Sequence, residues 1–330
     1  MTKLPHIVES FPLTVENVAK QYTKLPKDVS NVLYHYTTRA GIEGILRDGG
    51  LRASYRMTMN DAGEFHYARN LVYEVLEELG RCKELPKVAK SLAKLTRINL
   101  EQYLKDTTEL CRAYCACLTV CADHPDQWRN FGEAGKGFAI GFSFPQLVNA
   151  QIPKVLNQQS SLVFAPVTYE EYKQRNIVRQ FVRAGICDFQ NFAESRSRRR
   201  ENLTAIGTRI TKEIIVHLFV MIDFLKAPEY IAEREIRLIL DPNNGTIKAS
   251  NIQFIERNGE LIPYLFMDLR NPNTGRLPLV EIKIGPKSRY DQDLAFAERL
   301  LDEWGYGSGG FADRPRIVQS KLRDGQSEGW

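Results

Sequence analysis

The sequence predicts an α+β fold, with a mixed, largely antiparallel sheet and helical segments inserted into it. Three patterns lead there. Strand-like alternation brackets the chain, in "NVLYHYT" and "LRASYRMT" near the start and in "EREIRLIL", "NIQFIER", "LIPYLFMDL" and "LVEIKIG" near the end. Long helical stretches lie between, with Val88, Leu92, Leu95, Ile98 and Leu100 recurring near the helical period. The tripeptide "NGE" between two of the late runs reads as a hairpin turn, which joins antiparallel neighbours.

In chain order, residues 1–30 read as an N-terminal extension with one short helix, "TVENVAKQY". The strand "NVLYHYT" comes next, then the helix "AGIEGILRDG", which Gly49 and Gly50 close. "MNDAGEF" is a polar turn into a long helix reaching about Gly80, and a second helix covers about Pro86 to Lys105. The middle is strand, helix, strand: "RAYCACLTV", "DHPDQWRNFGEAG", "GFAIGFSF". His124 and Pro125 start that helix, and Gly135 and Gly137 stop it. "SSLVFAPVTYE" is another strand. A helical insertion at about 170–226 then interrupts the β pattern. After the late strands, "DQDLAFAERLLDEWG" is a closing helix and "RPRIVQSKL" a final strand. Residues 31–330 therefore read as a single α+β domain. "GYGSGG" follows a helix, so it lacks the strand-loop-helix setting of a phosphate cradle.

Bulk properties narrow the class. The 330 residues are 43% hydrophobic and 26% charged, as in ordinary globular proteins, and they can bury a sizeable core. No apolar run approaches the roughly 18–20 residues that span a bilayer, so no membrane partner is expected. The N-terminus has no apolar signal core, which makes a cytoplasmic location the expectation. Of six cysteines, Cys111, Cys115, Cys117 and Cys121 cluster. They lack C-x2-C pairs, and "AYCACLTVC" reads as a strand, so no metal is expected. The formal net charge is only +5, but residues 173–213 hold ten Lys or Arg against four Asp or Glu. Arg196, Arg198, Arg199 and Arg200 are the densest part. Such a block meets nucleic-acid phosphates or forms a solvated helix face.

Four polar constellations could carry chemistry. In Tyr34-His35-Tyr36-Thr37, alternation sends His35 to one face and the two tyrosines to the other. Asn60 and Asp61, with Glu64 three residues after Asp61, fit a capping box for the following helix. Trp128, on a short helix, either packs or covers an aromatic ring. In "AEREIRLIL", Glu233, Glu235 and Arg237 fall on one strand face and Ile236, Leu238 and Leu240 on the other. That face is either a surface salt bridge or a cleft wall with two carboxylates and a guanidinium.

Taken in order, "LYHYTT", "GIEGIL", "GGLRAS", "MNDAGEF", "DQWRNFGEAGKGFAIGF", "EREIRLIL" and "VEIKIGP" resemble the bacterial domain of unknown function DUF2971, over about Val32 to Leu322. The layout also resembles, more weakly, the His-Tyr-Glu ADP-ribosyltransferases, including DarT-type DNA-modifying toxins. That resemblance implies an ADP-ribosyltransferase-like sheet core and NAD as a substrate, with no metal and no Rossmann fingerprint. It implies His35 and Glu235 as catalytic residues. Glu235 would stabilise an oxocarbenium-like transition state, and His35 would position a ribose. Tyr55, Tyr36 or Trp128 would stack on nicotinamide, and Arg237 would bind the pyrophosphate. Tyr36, Thr37, Tyr55, Asn60, Glu64, Trp128, Glu233 and Arg237 form the implied substrate-binding set, and Arg196, Arg198, Arg199 and Arg200 the implied nucleic-acid contacts. The acceptor would be RNA, DNA or protein. The setting would be a bacterial toxin or anti-phage effector, with an antitoxin or other regulatory partner. The alternative is a non-catalytic nucleic-acid-binding or regulatory protein, whose polar strand residues are structural. The two readings part on geometry: the enzyme needs His35, Glu235 and an aromatic on one cleft.

Overall fold

A computed structural model describes residues 14–22, 31–56, 62–106, 114–148, 161–195, 203–241, 251–257, 259–307 and 314–322. The chain divides into two compact units. One comprises residues 25–62, 108–167 and 229–330, and the other residues 1–24, 63–107 and 168–228.

The first unit is built on a ten-stranded, mixed and largely antiparallel sheet. Its strands are β1 (Val32–Thr37), β2 (Gly50–Tyr55), β3 (Tyr114–Thr119), β4 (Phe138–Ser143), β5 (Ser161–Pro166), β6 (Glu235–Asp241), β7 (Gln253–Arg257), β8 (Glu260–Asp268), β9 (Leu279–Ile284) and β10 (Arg316–Gln319). The main path runs β10-β9-β4-β1-β3-β2-β8-β7, and β6 and β5 branch from β3. Only the β9–β10 pair is parallel among the paired strands described. The hairpin expected at "NGE" joins β7 and β8, with Gly259 at φ 81°, a left-handed angle that glycine adopts without steric cost.

The branch at β3 is the main feature of this sheet. On one side β3 pairs with β6 along its whole length, from Tyr114↔Leu240 to Thr119↔Glu235. On the other side two strands share it. β2 takes its start, through Tyr55↔Tyr114 and Ser54↔Cys115, and β1 takes its end, through Tyr34↔Thr119. Between those contacts β1 and β2 diverge and leave a fork over the middle of β3.

Strand alternation gives the sheet one strongly apolar face. Leu33, Leu118, Phe138, Ile140, Phe142, Ile236, Leu238, Ile282 and Ile284 line it. Helices α2 (Arg39–Asp48) and α8 (Tyr290–Glu303) add Ile42, Ile45, Leu46, Phe296 and Leu300 to the same core. Thr38 caps α2 by accepting from the Gly41 amide, and Gly49, at φ 77°, ends it. The opposite face is polar but largely buried. There α5 (Pro125–Phe131) brings Trp128 against Tyr34, Tyr36 and Ala139.

The second unit is helical: α1 (Val15–Tyr22), α3 (Ala62–Arg81), α4 (Lys87–Asp106), α6 (Glu171–Ser195) and α7 (Leu203–Ile222). The 170–226 insertion is thus joined by α3 and α4, which precede the middle strands in sequence. Apolar stripes meet inside, with Val72, Val75 and Leu76 from α3, Leu92 and Leu100 from α4, Val178 and Phe181 from α6, and Ile210, Ile214 and Leu218 from α7. A Cβ on Gly185 of α6 would lie 2.5 Å from Ile214 Cδ1, so the bare glycine lets α6 and α7 approach closely. No described helix is long and apolar enough to cross a membrane.

Candidate functional site

β1 delivers His35 to the fork. Its paired neighbours are apolar, with Ile140 directly opposite on β4. Its Nδ1 lies 3.0 Å from the main-chain oxygen of Cys117, in the middle of β3. A carbonyl only accepts, so Nδ1 carries the proton and Nε2 presents a lone pair. The side chain thereby takes the place of the strand partner that β1 no longer supplies after diverging. Nε2 has no hydrogen-bond partner among the described residues. Burial drives the ring's pKa below the ordinary value of 6.5, against the opposing pull of the Cys117 carbonyl. The imidazole is therefore neutral at physiological pH.

That state makes a prediction about acid. A depressed folded-state pKa stabilises the fold above 6.5, and this contribution disappears as the pH falls through the folded value. Urea midpoints of the parent and His35→Gln should run in parallel above pH 6.5 and converge or cross below it. Parallel curves down to the acid limit would remove the half-buried neutral histidine.

Tyr55 shares His35's face. It pairs with Tyr114, which points into the apolar core, and the two rings sit 6.1 Å apart. His35 and Tyr55 therefore flank the same fork, on the two strands that diverge from β3.

Glu235 and Arg237 do not. Strand partners directly opposite one another project to the same side. The register Tyr34↔Thr119↔Glu235 puts Glu235 on the face of Tyr34, and hence opposite to His35. The same alternation puts Tyr36 with Glu235, away from the histidine. Glu235 is buried and gripped by Arg237 through two bonds, Nε–Oε1 at 3.0 Å and Nη2–Oε2 at 2.9 Å. This pair is neither a surface salt bridge nor an open cleft wall, as the alternation in "EREIRLIL" allowed. The strand pattern supplies the periodicity of a face but not its depth.

The polar face extends further than the motif. One cross-strand row reads Glu281–Gly141–Tyr34–Thr119–Glu235 over β9, β4, β1, β3 and β6. The next row carries Lys283, Ala139 and Tyr36, with Cys117 opposite Arg237. Glu281 accepts from Tyr34 Oη at 3.3 Å and from Arg316 at 3.1 Å, and Lys283 Nζ lies 3.4 Å away. Burial, reinforced by Glu281, pushes the Tyr34 hydroxyl up to about 12. Cys115 and Cys117 Sγ are 3.8 Å apart on this face. That contact, burial and the nearby Glu235 charge hold the Cys117 thiol protonated, well above the ordinary cysteine range. Glu281 and Lys283 escaped the sequence reading, although "EIK" in β9 repeats the Glu-Ile-cation pattern of "EIR" in β6.

The remaining predicted residues scatter. Glu233 ends a 3-10 turn, Pro228–Glu233, and Arg234 at φ 45° breaks the alternation before β6 begins. Glu233 is therefore not on the strand with Glu235. Its main-chain oxygen accepts from Thr119 Oγ1 at 2.7 Å and Gln127 Nε2 at 3.0 Å. Trp128 is fully buried, edge-on to Tyr36 at 4.7 Å, and donates to Asp123 at 2.7 Å, so it packs and covers no open ring site. Tyr36 Oη donates to the Cys121 carbonyl at 3.0 Å. Thr37 ends β1, where Gly137 approaches its carbonyl so closely that a Cβ would sit 2.3 Å away. Glu64 lies in the helical unit, paired at 2.6 Å with Lys226. Asn60, Asp61, Arg196, Arg198, Arg199 and Arg200 lie outside the described residues, and with them the capping box and the basic cluster. Among the described residues no group of three or more His, Cys, Asp or Glu is placed to hold a metal ion.

Residues 127–238 match the model of a family described as "Protein of unknown function (DUF2971)". The matched stretch runs from α5 to β6 and holds Trp128, Glu233, Glu235 and Arg237; the strand bearing His35 lies before it. No curated protein and no solved structure matches the chain.

Proposed function

We propose that this chain binds a dinucleotide such as NAD at the β1/β2 fork. ADP-ribosyl transfer, which the His-Tyr-Glu layout implied, would need Glu235 on that same cleft, and the opposite-face register makes transfer the less supported half of the reading. The observation that carries this reading is the state of His35: neutral, tautomer set by the Cys117 carbonyl, Nε2 lone pair facing the side shared with Tyr55. A ribose hydroxyl is the natural donor to such an acceptor. A tyrosine ring across the fork offers a stacking surface for nicotinamide or adenine.

Glu235 takes a different part from the one its motif implied. From the opposite face, neutralised by Arg237, it is a positioning residue that steadies β6 against β3 beneath the fork. NAD binding and NAD cleavage therefore need separate measurement. The acceptor in this reading is a nucleic acid or a protein, and the setting a bacterial toxin or anti-phage effector held in check by a regulatory partner.

Calorimetric titration with NAD tests the first half, and nicotinamide release in the presence of RNA, DNA or cellular protein tests the second. His35→Ala should weaken NAD binding by at least about tenfold, the loss of one well-placed hydrogen bond to a ligand, while circular dichroism stays native. A folded parent that neither binds NAD nor releases nicotinamide overturns the reading. Binding without release removes the transferase and leaves a nucleotide-binding protein. The burial of the Glu235–Arg237 pair favours a second reading, a non-catalytic nucleic-acid-binding or regulatory protein. Its mark is RNA or DNA affinity that falls steeply with added salt, without NAD turnover.

A further inference from the structure

The polar face of β3 carries a pair of thiols that dinucleotide binding at the fork does not use. Alternation puts Cys115 and Cys117 on the side of Thr119 and Glu235, while Ala116 and Leu118 enter the apolar core. The two Sγ atoms lie 3.8 Å apart. Cys115 is 4% exposed and Cys117 is partly open to solvent.

Two kinds of bridge could join these sulfurs, a disulfide or an ion. An extended strand sets residues i and i+2 about 6.4–6.8 Å apart at Cα, the outer limit for a disulfide. The strand therefore resists direct closure. An ion needs no closure. Two thiolates, each about 2.3 Å from a tetrahedral ion, stand about 3.8 Å apart. That is the separation already present. The charge of the product also fits. The Glu235–Arg237 pair is neutral as a pair, and Arg237 stands opposite Cys117 in the β3–β6 ladder. A divalent ion that displaces both thiol protons, M2+ + 2 RSH → M(SR)2 + 2 H+, leaves the net charge of this face unchanged.

We propose that Cys115 and Cys117 form a chelating dithiol for a soft divalent cation of the zinc and cadmium kind. Their C-x-C spacing departs from the C-x2-C of zinc knuckles, but a strand brings alternate side chains to one side with a single residue between them. Thiolates select such ions over magnesium and calcium, which take oxygen ligands. Among the described residues no third His, Cys, Asp or Glu completes a cage. The ion's other positions therefore hold water or a small exchangeable ligand. That openness suits a site that senses or passes on an ion, not one that holds the fold together.

The test titrates the reduced full-length chain with Cd2+ and Zn2+, with Mg2+ as the hard control. Cadmium should give a sulfur-to-metal charge-transfer band. Native mass spectrometry should show one ion gained and two protons lost per chain. Cys115→Ala and Cys117→Ala should each remove the band. A buried free cysteine behaves as a small apolar side chain, so alanine should keep the fold, which circular dichroism checks. Cys82→Ser with Cys187→Ser should keep the band. The parent gives a reading that needs no variant: with Cd2+ present, alkylation and peptide mapping should find Cys117 protected. Four results overturn the proposal: no band from the folded parent, a band that survives both alanine changes, alkylation of Cys117 that the ion does not slow, or equal occupancy by Mg2+.

Discussion

Glu235→Ala is expected to destabilise the sheet unit by about 3–5 kcal/mol, the cost of breaking a buried ion pair by removing one member. Arg237 is 4% exposed, and its guanidinium bonds both oxygens of Glu235. Without the carboxylate, a permanently charged group stays buried beside Cys117 and Ala165, its partners across the ladders. Glu235→Gln should be milder, since the amide oxygen still accepts one bond. Replacing both members, Glu235→Leu with Arg237→Leu, should recover most of the stability, because an apolar pair carries no desolvation penalty. Chemical denaturation of the parent and the three variants checks this order. A residue with only a catalytic role would give the opposite pattern: Glu235→Ala as stable as the parent, with lost turnover as the sole effect. Assays of Glu235 variants are therefore interpretable only after the folded fraction is measured.

The second large effect is expected at Trp128. The side chain is fully exclusive of solvent in the cluster with Tyr34, Tyr36 and Ala139. Its indole N–H donates to Asp123, whose carboxylate also accepts from Ser320 Oγ and the Lys321 amide, each at 2.7 Å. Trp128→Ala should cost about 3–5 kcal/mol through the lost contacts and the cavity left behind. Because Asp123 joins the indole to the segment after β10, the same change should raise hydrogen exchange at residues 316–322. Trp128→Phe, which keeps most of the packing and loses the donor, should show a smaller loss with the same exchange signature. Native-like exchange in 316–322 for both variants would show that Asp123 holds that segment without the tryptophan.

Much of the strand and helix pattern is legible in the sequence, because its physical cause is local. Alternation in "LYHYT" separates His35 from Tyr34 and Tyr36, and the registers of β1 with β3 and β4 keep that separation. The helix from "HPDQWRNF" starts at Pro125, which that residue type favours, with His124 as its cap, and it ends at Phe131 before Gly132, ahead of the stop expected at Gly135 and Gly137. Alternation fails at Glu233 because the backbone at Arg234 takes a left-handed turn that no residue type there announces. The helical stripe of α4 is a related case. Periodicity places Leu92 and Leu95 on one broad surface, and only the neighbouring helices determine that Leu92 is covered and Leu95 is not.

The site depended on longer-range information. His35 and Glu235 each lie on an apolar-polar strand, and each pattern is correct by itself. Whether two such strands present their polar residues to the same side depends on how many strands separate them and in what register. Here β3 lies between β1 and β6, and one register step, Tyr34↔Thr119, assigns the histidine and the carboxylate to opposite faces. Local sequence determined the elements, the two-sidedness of each strand and the presence of reactive groups, because backbone sterics and side-chain alternation act within a few residues. Tertiary structure alone decided that β1 and β2 fork over β3, that His35 fills the gap with its Nδ1 proton on Cys117, and that Glu235 is sealed behind by Arg237. The fork and the two faces follow from strand pairings between residues distant in sequence, such as Tyr55↔Tyr114, Tyr34↔Thr119 and Thr119↔Glu235, where closing the chain and excluding water, not local preference, set the energy.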